Sequence, residues 1–418
     1  MVDSSKISKL LSQAEKGNAT AQCTLAGLYE SGVEVDLDLG LAAQWFLSAA
    51  MLGSSKAQSR IGEMYLHGRG IRKNVKKAVH WFDQAADQND PDGLANLAWC
   101  YQNGICVRQD YKSASKLYKQ AAEQGHINAC YNLGYMYASG NGISQDKVKA
   151  IEWYKKAGKA GHPKAQLNLG LLYAEKGHSQ NNDVHAVEWF RKAADQGYSK
   201  AQYNLALMYE SGRGVPPDKE QAVKWFRLAA DQDNLDAQYH MGLACLNGNG
   251  TRQDYEEALE WFMKAGREGH AKSQYQIGRI YADGLGVEAD FREAYFWYHY
   301  AADQDHPRAL YCLGQFYADG NGIRQDDKAA VECYRQAAEQ GYLPAQYALG
   351  FMYSEGRGVK RDFSKAYSWI YIAAAANEPR AMKALDKIGK KLDKTALTDA
   401  VIKGQELAKK YKRSRVKG

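Results

Sequence analysis

A 36-residue period runs through most of the chain and limits what it can fold into. A small residue returns at the same place in each period and is followed four positions later by an apolar residue. In the first ten periods a tyrosine follows eight positions later, with Cys245 as the one substitution. The register never slips, which predicts an array of equal units that pack against their neighbours. The small residues are Ala21, Ala57, Gly93, Ala129, Ala165, Ala201, Ala237, Ser273, Ala309, Ala345 and Ala381.

Each period predicts two helices. In the sixth period, Ala201, Leu205, Met208 and Tyr209 are spaced so that they form one apolar stripe on a helix. The second half of the same period predicts another helix, with apolar residues at similar spacing. These residues are Ala222, Val223, Trp225, Phe226, Ala229 and Ala230. Strand signals are absent, so the sequence predicts an all-α solenoid of about ten helix-turn-helix repeats.

A Gly-x-Gly turn between the two helices raises the question of a nucleotide site. A dinucleotide-binding loop follows a β-strand and needs a third glycine. Here the turn follows a helix and recurs in one unit after another, as in Gly68-Arg69-Gly70 and Gly356-Arg357-Gly358. Gly212 falls where the first helix must end with a residue at positive φ, which glycine adopts without steric cost. The pattern therefore predicts an inter-helix turn and not a phosphate-binding loop.

The combined pattern resembles the Sel1-like repeat, a relative of the tetratricopeptide repeat with a slightly longer unit. It reads Ala-Gln-x-x-Leu-Gly-x-x-Tyr-x-x-Gly-x-Gly-Val, then Ala-x-x-Trp-Phe/Tyr-x-x-Ala-Ala-x-x-Gly. The resemblance implies a right-handed superhelix whose first helices line a concave face. It also implies a protein-binding scaffold, usually without catalysis. Cys245 and the segment Lys176-Gly177-His178, which replaces one Gly-x-Gly turn, depart from the pattern locally.

The repeats divide the chain into three regions. Residues 1–18 are predicted to hold an N-terminal capping helix, residues 19–378 the ten repeats, and residues 379–418 C-terminal capping helices with a basic tail. The first cap is predicted at Ser5–Glu15. The last two helices are predicted at Lys383–Leu392 and Thr395–Tyr411, with Thr395 as the N-cap residue of the second. This last helix resembles the closing helix of bacterial members of the family.

Positive charge is concentrated at the C-terminal end. The chain has a formal net charge of +7, but residues 383–418 contain twelve Lys and Arg against four Asp and Glu. One interpretation of this tail is a solvated terminus. The other is contact with nucleic acid or an acidic membrane surface, against which the body of the chain offers no basic stripe.

The cysteines and the N-terminus predict a cytoplasmic protein. Seven cysteines are scattered rather than paired in each repeat, which favours reduced thiols, although Cys312 and Cys333 could face each other across one helical hairpin. The first twenty residues lack the apolar run of a signal peptide.

Residues with catalytic or metal-binding chemistry recur without forming a recognisable site. His126, His162, His270 and His306 occupy the same inter-unit turn, so they lie too far apart to share a zinc ion. The acidic pairs Glu256-Glu257 and Asp326-Asp327 start second helices, where carboxylates favour the helix dipole. No hydrolase, zinc or phosphate-loop motif is present. We therefore expect no enzyme activity, no cofactor, no metal and no small-molecule substrate.

A candidate partner-binding face remains on the first helices. Positions two, six and nine after the recurrent small residue point away from the apolar stripe, and the resemblance places them on the concave face. Large apolar groups there predict a binding groove, although the tyrosines could instead pack within the array. The candidates are Trp99, Tyr131, Tyr135, Leu171, Tyr203, Leu207, Tyr239, Leu243, Leu246, Tyr275, Arg279, Tyr311, Gln315 and Phe351.

The sequence thus favours a non-catalytic scaffold or adaptor that binds another protein or a peptide segment in this groove. Three alternatives stay open: an immunity-type inhibitor that clamps a toxin or a lipase effector, a bacterial effector that acts on a host protein, and an enzyme with an unrecognised site.

Overall fold

A computed structural model describes residues 4–175, 180–376 and 378–415, and these residues form 23 helices and no strand. Helix α1 (Ser4–Glu15) precedes the repeats, and α22 (Pro379–Gly389) and α23 (Lys394–Arg415) follow them. The first, or A, helices are α2 (Ala19–Ser31), α4 (Ser55–His67), α6 (Pro91–Asn103), α8 (Ile127–Ser139), α10 (Pro163–Glu175), α12 (Ser199–Ser211), α14 (Leu235–Asn247), α16 (Ala271–Asp283), α18 (Pro307–Asp319) and α20 (Leu343–Glu355). The second, or B, helices are α3 (Leu39–Met51), α5 (Val75–Asp87), α7 (Tyr111–Glu123), α9 (Lys147–Lys159), α11 (Gln180–Asp195), α13 (Lys219–Ala230), α15 (Tyr255–Arg267), α17 (Phe291–Ala302), α19 (Asp327–Glu339) and α21 (Phe363–Ala374).

The helices form two compact units. The first comprises Met1–Ala201 with Arg213–Val215, and the second comprises Gln202–Gly212 with Pro216–Gly418. Within each unit, consecutive helices pack in chain order, A helix against B helix and B helix against the next A helix. The predicted all-α solenoid of helix pairs is therefore confirmed.

In each repeat a large buried side chain lies one residue after the recurrent tryptophan position. Phe82 and Phe262 are fully buried, whereas Trp81 is only half-buried. A glycine on the A helix makes room for this ring, because a Cβ at Gly62 would lie 2.5 Å from Cε1 of Phe82. The small residue on the A helix thus allows close packing against one aromatic ring. The equivalent buried residues are Phe46, Phe82, Tyr118, Tyr154, Phe190, Phe226, Phe262, Tyr298, Tyr334 and Ile370.

The Gly-x-Gly segment is an inter-helix turn, as predicted. Gly212 has a φ of 69°, in the left-handed region that glycine favours. The second glycine of the motif has an additional role in packing one repeat on the next. At Gly358, a Cβ would lie 2.1 Å from the carbonyl oxygen of Asp327, at the start of the preceding B helix. The motif therefore both ends the A helix and fits against the backbone of the preceding repeat. The segment Lys176-Gly177-His178 lies outside the described residues.

A buried glutamine joins three consecutive helices in several repeats. Gln274 on α16 donates through Nε2 to the carbonyl oxygen of Gly266 on α15, at 2.9 Å. Its Oε1 accepts from Nε2 of Gln304, just after α17, at 2.8 Å. The same arrangement ties α3, α4 and α5 through Gln58, whose partners are the Ala50 carbonyl and Gln88. These bonds satisfy polar groups that the helix contacts bury.

Helix α1 takes the place of a B helix before the first repeat. The carbonyl oxygen of Ala14 accepts from Nε2 of Gln22 at 2.9 Å, as the Ala50 carbonyl does from Gln58 in the next repeat. Ala14 packs against Ala21 and Leu25 of α2. A helix at this position was predicted from Ser5 to Glu15, and the structure begins it at Ser4.

At the C-terminal end, the two helices were predicted with inaccurate starts. Helix α22 begins at Pro379 instead of Lys383, because proline suits the first turn of a helix. Helix α23 is capped by Asp393 and not by Thr395. The Asp393 carboxylate accepts hydrogen bonds from the backbone N–H groups of Thr395 and Ala396, both at 2.9 Å. The helix then packs on α21, where Ser368 donates to the carbonyl of Ala400 at 3.1 Å.

Candidate functional site

Three large apolar side chains of the first unit are exposed on successive A helices. Trp99 on α6, Tyr135 on α8 and Leu171 on α10 are 39%, 43% and 38% exposed. They occupy the same position in three consecutive repeats, so the solenoid presents them on the same face of its A helices. We call these three residues the apolar row. All three were candidates from the sequence.

The apolar row ends at a charged cluster in the second repeat. The equivalent residue there is Glu63, which accepts hydrogen bonds from Arg60 and, at 3.2 Å, from Asn96. Arg60 also pairs with Glu30, whose other oxygen lies 3.3 Å from Arg69. The A-helix surface therefore changes from ion pairs to exposed apolar groups between repeats two and three.

In the second unit, the equivalent positions are less uniform. Phe351 on α20 is 43% exposed. Leu207, Leu243, Arg279 and Gln315 are half-buried. This row therefore offers one exposed aromatic group and a mixed polar and aliphatic surface.

Leu246 does not belong to this surface. It is 5% exposed and packs in the core of the second unit. The ninth position of α14 lies near the helix end, where it turns towards the core instead of the solvent. Ala318, at the same position of α18, is also buried.

The candidate tyrosines at the second position are half-buried between repeats. Tyr131 lies 5.9 Å from the ring of Tyr154 on the B helix of its own repeat and stacks at 4.5 Å on His162, which directly precedes the next A helix. Tyr275 makes the same two contacts with Tyr298 and His306. Tyr203, Tyr239 and Tyr311 likewise lie against the buried ring of their own repeat. These tyrosines thus contribute to packing and present only part of each ring to solvent.

The four histidines of the inter-unit turn are N-cap residues. In His126, His162, His270 and His306, Nδ1 accepts a hydrogen bond from the backbone N–H three residues later, at 3.1 to 3.3 Å. Nδ1 must be unprotonated to accept this bond, so the cap requires a neutral imidazole. Burial, reinforced by Arg308, Lys272 and His270, lowers the pKa of His306 to about 4. These four histidines therefore have a structural role as helix caps.

The acidic pair at the start of α19 has a structural role. The Asp326 carboxylate caps the helix by accepting from the backbone N–H groups of Lys328 and Ala329. Asp327 binds the Arg357 guanidinium through both oxygens, at 2.7 and 3.3 Å. This contact lowers the pKa of Asp327. The pair therefore links one repeat to the next.

Within the described residues, no three His, Cys, Asp or Glu side chains are placed to hold a metal ion. All seven cysteines are free thiols, including Cys312 and Cys333. In the same part of the chain, no helix is both long enough and apolar enough to cross a bilayer.

One pocket was not predicted from the sequence. It has a volume of about 360 Å³ and lies in the second unit, between α20, α21 and α22. Its floor includes Phe351, and four basic residues surround it: Arg380, Lys383, Lys387 and Lys391. The sequence showed that the C-terminal end is basic. The spacing of these four residues, at three or four positions, also predicts that they lie on one side of a helix, and this was not used.

Comparison with known proteins agrees with this geometry. The family model for the Sel1 repeat matches residues 19–54, 55–90, 91–126, 127–162, 163–198, 199–234, 235–270, 271–306, 307–342 and 343–378. No curated protein is detectably similar to the chain.

Two solved structures are similar over most of their length. A protective antigen of uropathogenic Escherichia coli, described as displaying an SLR fold, is 30% identical with a TM-score of 0.63, covering 97% of this chain and 95% of its own. A Sel1 repeat protein from Oxalobacter formigenes is 31% identical with a TM-score of 0.60, covering 78% and 93%.

An immunity protein from Pseudomonas aeruginosa is a weaker match. It is 20% identical with a TM-score of 0.35, covering 51% of this chain and 82% of its own, which is too weak to bear on function. The family model, in contrast, accounts for ten consecutive repeats. The chain therefore belongs to the Sel1 repeat family.

Proposed function

We propose that this protein is a non-catalytic adaptor that binds a partner protein on the A-helix surface of its first unit, centred on the apolar row. The observation that carries the proposal is the exposure of Trp99, Tyr135 and Leu171 at one position of three successive repeats. Sel1 repeat proteins generally mediate protein–protein interactions, and their scaffold is typically non-catalytic. Both generalisations support a binding role for this surface.

Exposed apolar side chains that the fold does not require favour a role in binding. Nothing in the helix packing requires large apolar groups at these positions, since Glu63 occupies the equivalent place in repeat two. Contiguous exposed apolar surface on a soluble protein is typical of an interaction site. Tryptophan and tyrosine are enriched among the residues whose truncation costs most binding energy. The charged cluster around Glu63 would supply a polar edge to the apolar centre.

Affinity capture from the source cell's lysate tests the proposal. The wild-type protein is compared with a Trp99→Ala/Tyr135→Glu variant by mass spectrometry. A matched control is Met51→Ala/Val148→Glu, which changes two exposed apolar residues on the B helices α3 and α9. Circular dichroism checks that each variant keeps its helices.

We expect one protein to be lost with the apolar-row variant and kept with the control. With that partner purified, its dissociation constant should rise at least about thirtyfold, since central interface residues each contribute about 2 kcal/mol or more. Equal capture by all three proteins would contradict the proposal. The identity of the partner then separates an adaptor from an inhibitor of a toxin or lipase, because only an inhibitor abolishes its partner's activity.

A further inference from the structure

The pocket in the second unit combines an apolar floor with a cationic rim. Tyr347 and Phe351 on α20 contribute aromatic surface, and Ile370 on α21 and Ile388 on α22 contribute aliphatic surface. Phe351 is 43% exposed although three helices surround it. A concave apolar surface with a few polar groups at its edge is typical of a binding site.

Four basic residues follow one side of this pocket. Arg380, Lys383 and Lys387 are spaced three and four positions apart, so they lie on one face of α22, and Lys391 follows two residues after the helix ends. All four are exposed. In the described part of the chain none of them forms an ion pair with a carboxylate.

The charge around the pocket is therefore unbalanced. Glu355 is the only acidic residue lining it, against four basic residues. Neighbouring like charges on one helix face destabilise the helix, and a bound anion relieves this repulsion. Charge complementarity thus points to an acidic ligand, and the apolar floor points to a ligand that also carries a large apolar group.

We propose that this pocket binds an acidic peptide segment that places one aromatic or branched aliphatic side chain against Phe351, Ile370 and Ile388. The carboxylates of the segment pair with Arg380, Lys383, Lys387 and Lys391. The proposal rests on the proposed function and specifies the chemistry of a segment bound at this end of the array. A nucleic acid fits the site less well, because its planar bases stack on aromatic rings and would leave Ile370 and Ile388 without an aliphatic partner.

Fluorescence anisotropy with defined peptides tests this directly on the full chain. The probe is a labelled hexapeptide, Glu-Asp-Phe-Leu-Asp-Glu. Two companion peptides remove one property each: Gln-Asn-Phe-Leu-Asn-Gln lacks the charge, and Glu-Asp-Ala-Ala-Asp-Glu lacks the apolar group. A labelled twelve-residue oligothymidylate and phosphatidylserine vesicles serve as the nucleic-acid and membrane probes.

Two variants examine the two halves of the pocket. Lys383→Glu/Lys387→Glu reverses the rim, and Phe351→Ala removes part of the floor without disturbing a buried residue. The matched control is Lys390→Glu/Lys394→Glu, which changes the net charge equally at exposed residues outside the pocket.

We expect the acidic, apolar probe to bind best, and each pocket variant to weaken it about tenfold or more. The control variant should change the affinity for the probe less than about threefold. Higher salt should weaken binding of the probe to the wild-type protein, because exposed charges are screened. The inference is overturned if the probe does not bind, if all anionic probes bind alike, or if the control acts like the rim variant. The Trp99→Ala/Tyr135→Glu variant should still bind the probe, so failure of this inference is distinguishable from failure of the proposed function.

Discussion

Gln304 donates a hydrogen bond from its side-chain amide to the side-chain carbonyl of Gln274, 30 residues earlier, over 2.8 Å. In the preceding repeat, Glu268 occupies the place of Gln304. A carboxylate cannot donate this bond, and Oε1 of the buried Gln238 has no hydrogen-bond partner among the described residues. Gln238 therefore lacks a hydrogen bond that the equivalent residue Gln274 makes in the next repeat.

Replacing Glu268 by glutamine should therefore stabilise the second unit. The new amide can donate to Gln238 Oε1, which stabilises by about 1 kcal/mol when a buried acceptor gains its partner. It also removes a negative charge from the C-terminal end of α15, where the helix dipole disfavours it. The urea midpoint should rise with little change in the slope of the transition.

The reciprocal variant Gln304→Glu provides the control. It removes the donor to Gln274 and should lower the midpoint by a comparable amount. If neither variant shifts the midpoint, the glutamine pairs do not contribute to stability.

The second glycine of the turn should tolerate substitution far less than other glycines at positive φ. Gly358 and Gly269 have φ values of 66° and 88°, but a Cβ at Gly269 meets nothing within 4 Å. Gly269→Ala should cost about 1 kcal/mol, from backbone conformation alone. Gly358→Ala should cost more than about 3 kcal/mol, because its Cβ would also overlap the Asp327 carbonyl. Equal costs in urea unfolding would show that the contact between repeats is unimportant.

Stability should fall on acidification through the histidine caps. Burial lowers the pKa of His162, His270 and His306, the last to about 4, from an ordinary value near 6.5. Below pH 6.5 the unfolded chain therefore binds more protons than the folded chain. Their contribution to stability is complete above pH 6.5 and is lost as the pH falls through the lowered pKa of each folded-state histidine, which is about 4 for His306.

A His162→Asn/His270→Asn/His306→Asn variant isolates this effect. Asparagine is a strong N-cap residue and does not titrate, and Asn234 already serves at the equivalent position. Melting temperatures measured from pH 8 to pH 4 should fall less steeply for the variant than for the wild type. Parallel curves would mean that the caps do not titrate in this range.

Tyr411 should anchor the closing helix. It is 3% exposed and its ring stacks on Trp369 of α21, with the centroids 6.1 Å apart. Tyr411→Ala should cost about 3 kcal/mol, as expected for removal of a buried aromatic side chain. Ile402→Ala on the same helix is the control, because Ile402 is 49% exposed and should cost less than about 1 kcal/mol. Similar losses for both would indicate that α23 is held elsewhere.

Periodicity predicted most of the fold because each repeat must satisfy the same contacts. The helix pairs and the turn at Gly212 follow from residues that recur every 36 positions. Periodicity could not decide which of two adjacent aromatic residues is deeper, since Trp81 and Phe82 both lie near the apolar face. It also placed Leu246 on the surface, because spacing alone does not show where the end of a helix turns towards the core.

Features that the 36-residue pattern does not contain were harder to predict. The closing helix was predicted to end at Tyr411, and α23 continues four residues further, to Arg415. The recurring glutamine was visible in the sequence as a pattern, and only the structure shows its two partners. The apolar row remains a prediction as a binding site, since its exposure was anticipated but no partner is present.

The hydrogen bonds of the buried glutamines also determine which helices unfold together. Gln274 holds α15 and α17 through one side chain, so neither helix can detach without exposing a buried amide. We therefore expect such triplets of helices to exchange their amide hydrogens with solvent as single cooperative blocks. Where Leu94 or Leu310 replaces the glutamine, this link is missing, and at Cys130 only a thiol contact with the Ala122 carbonyl, at 3.6 Å, remains. We expect local unfolding of the solenoid to begin at those repeats.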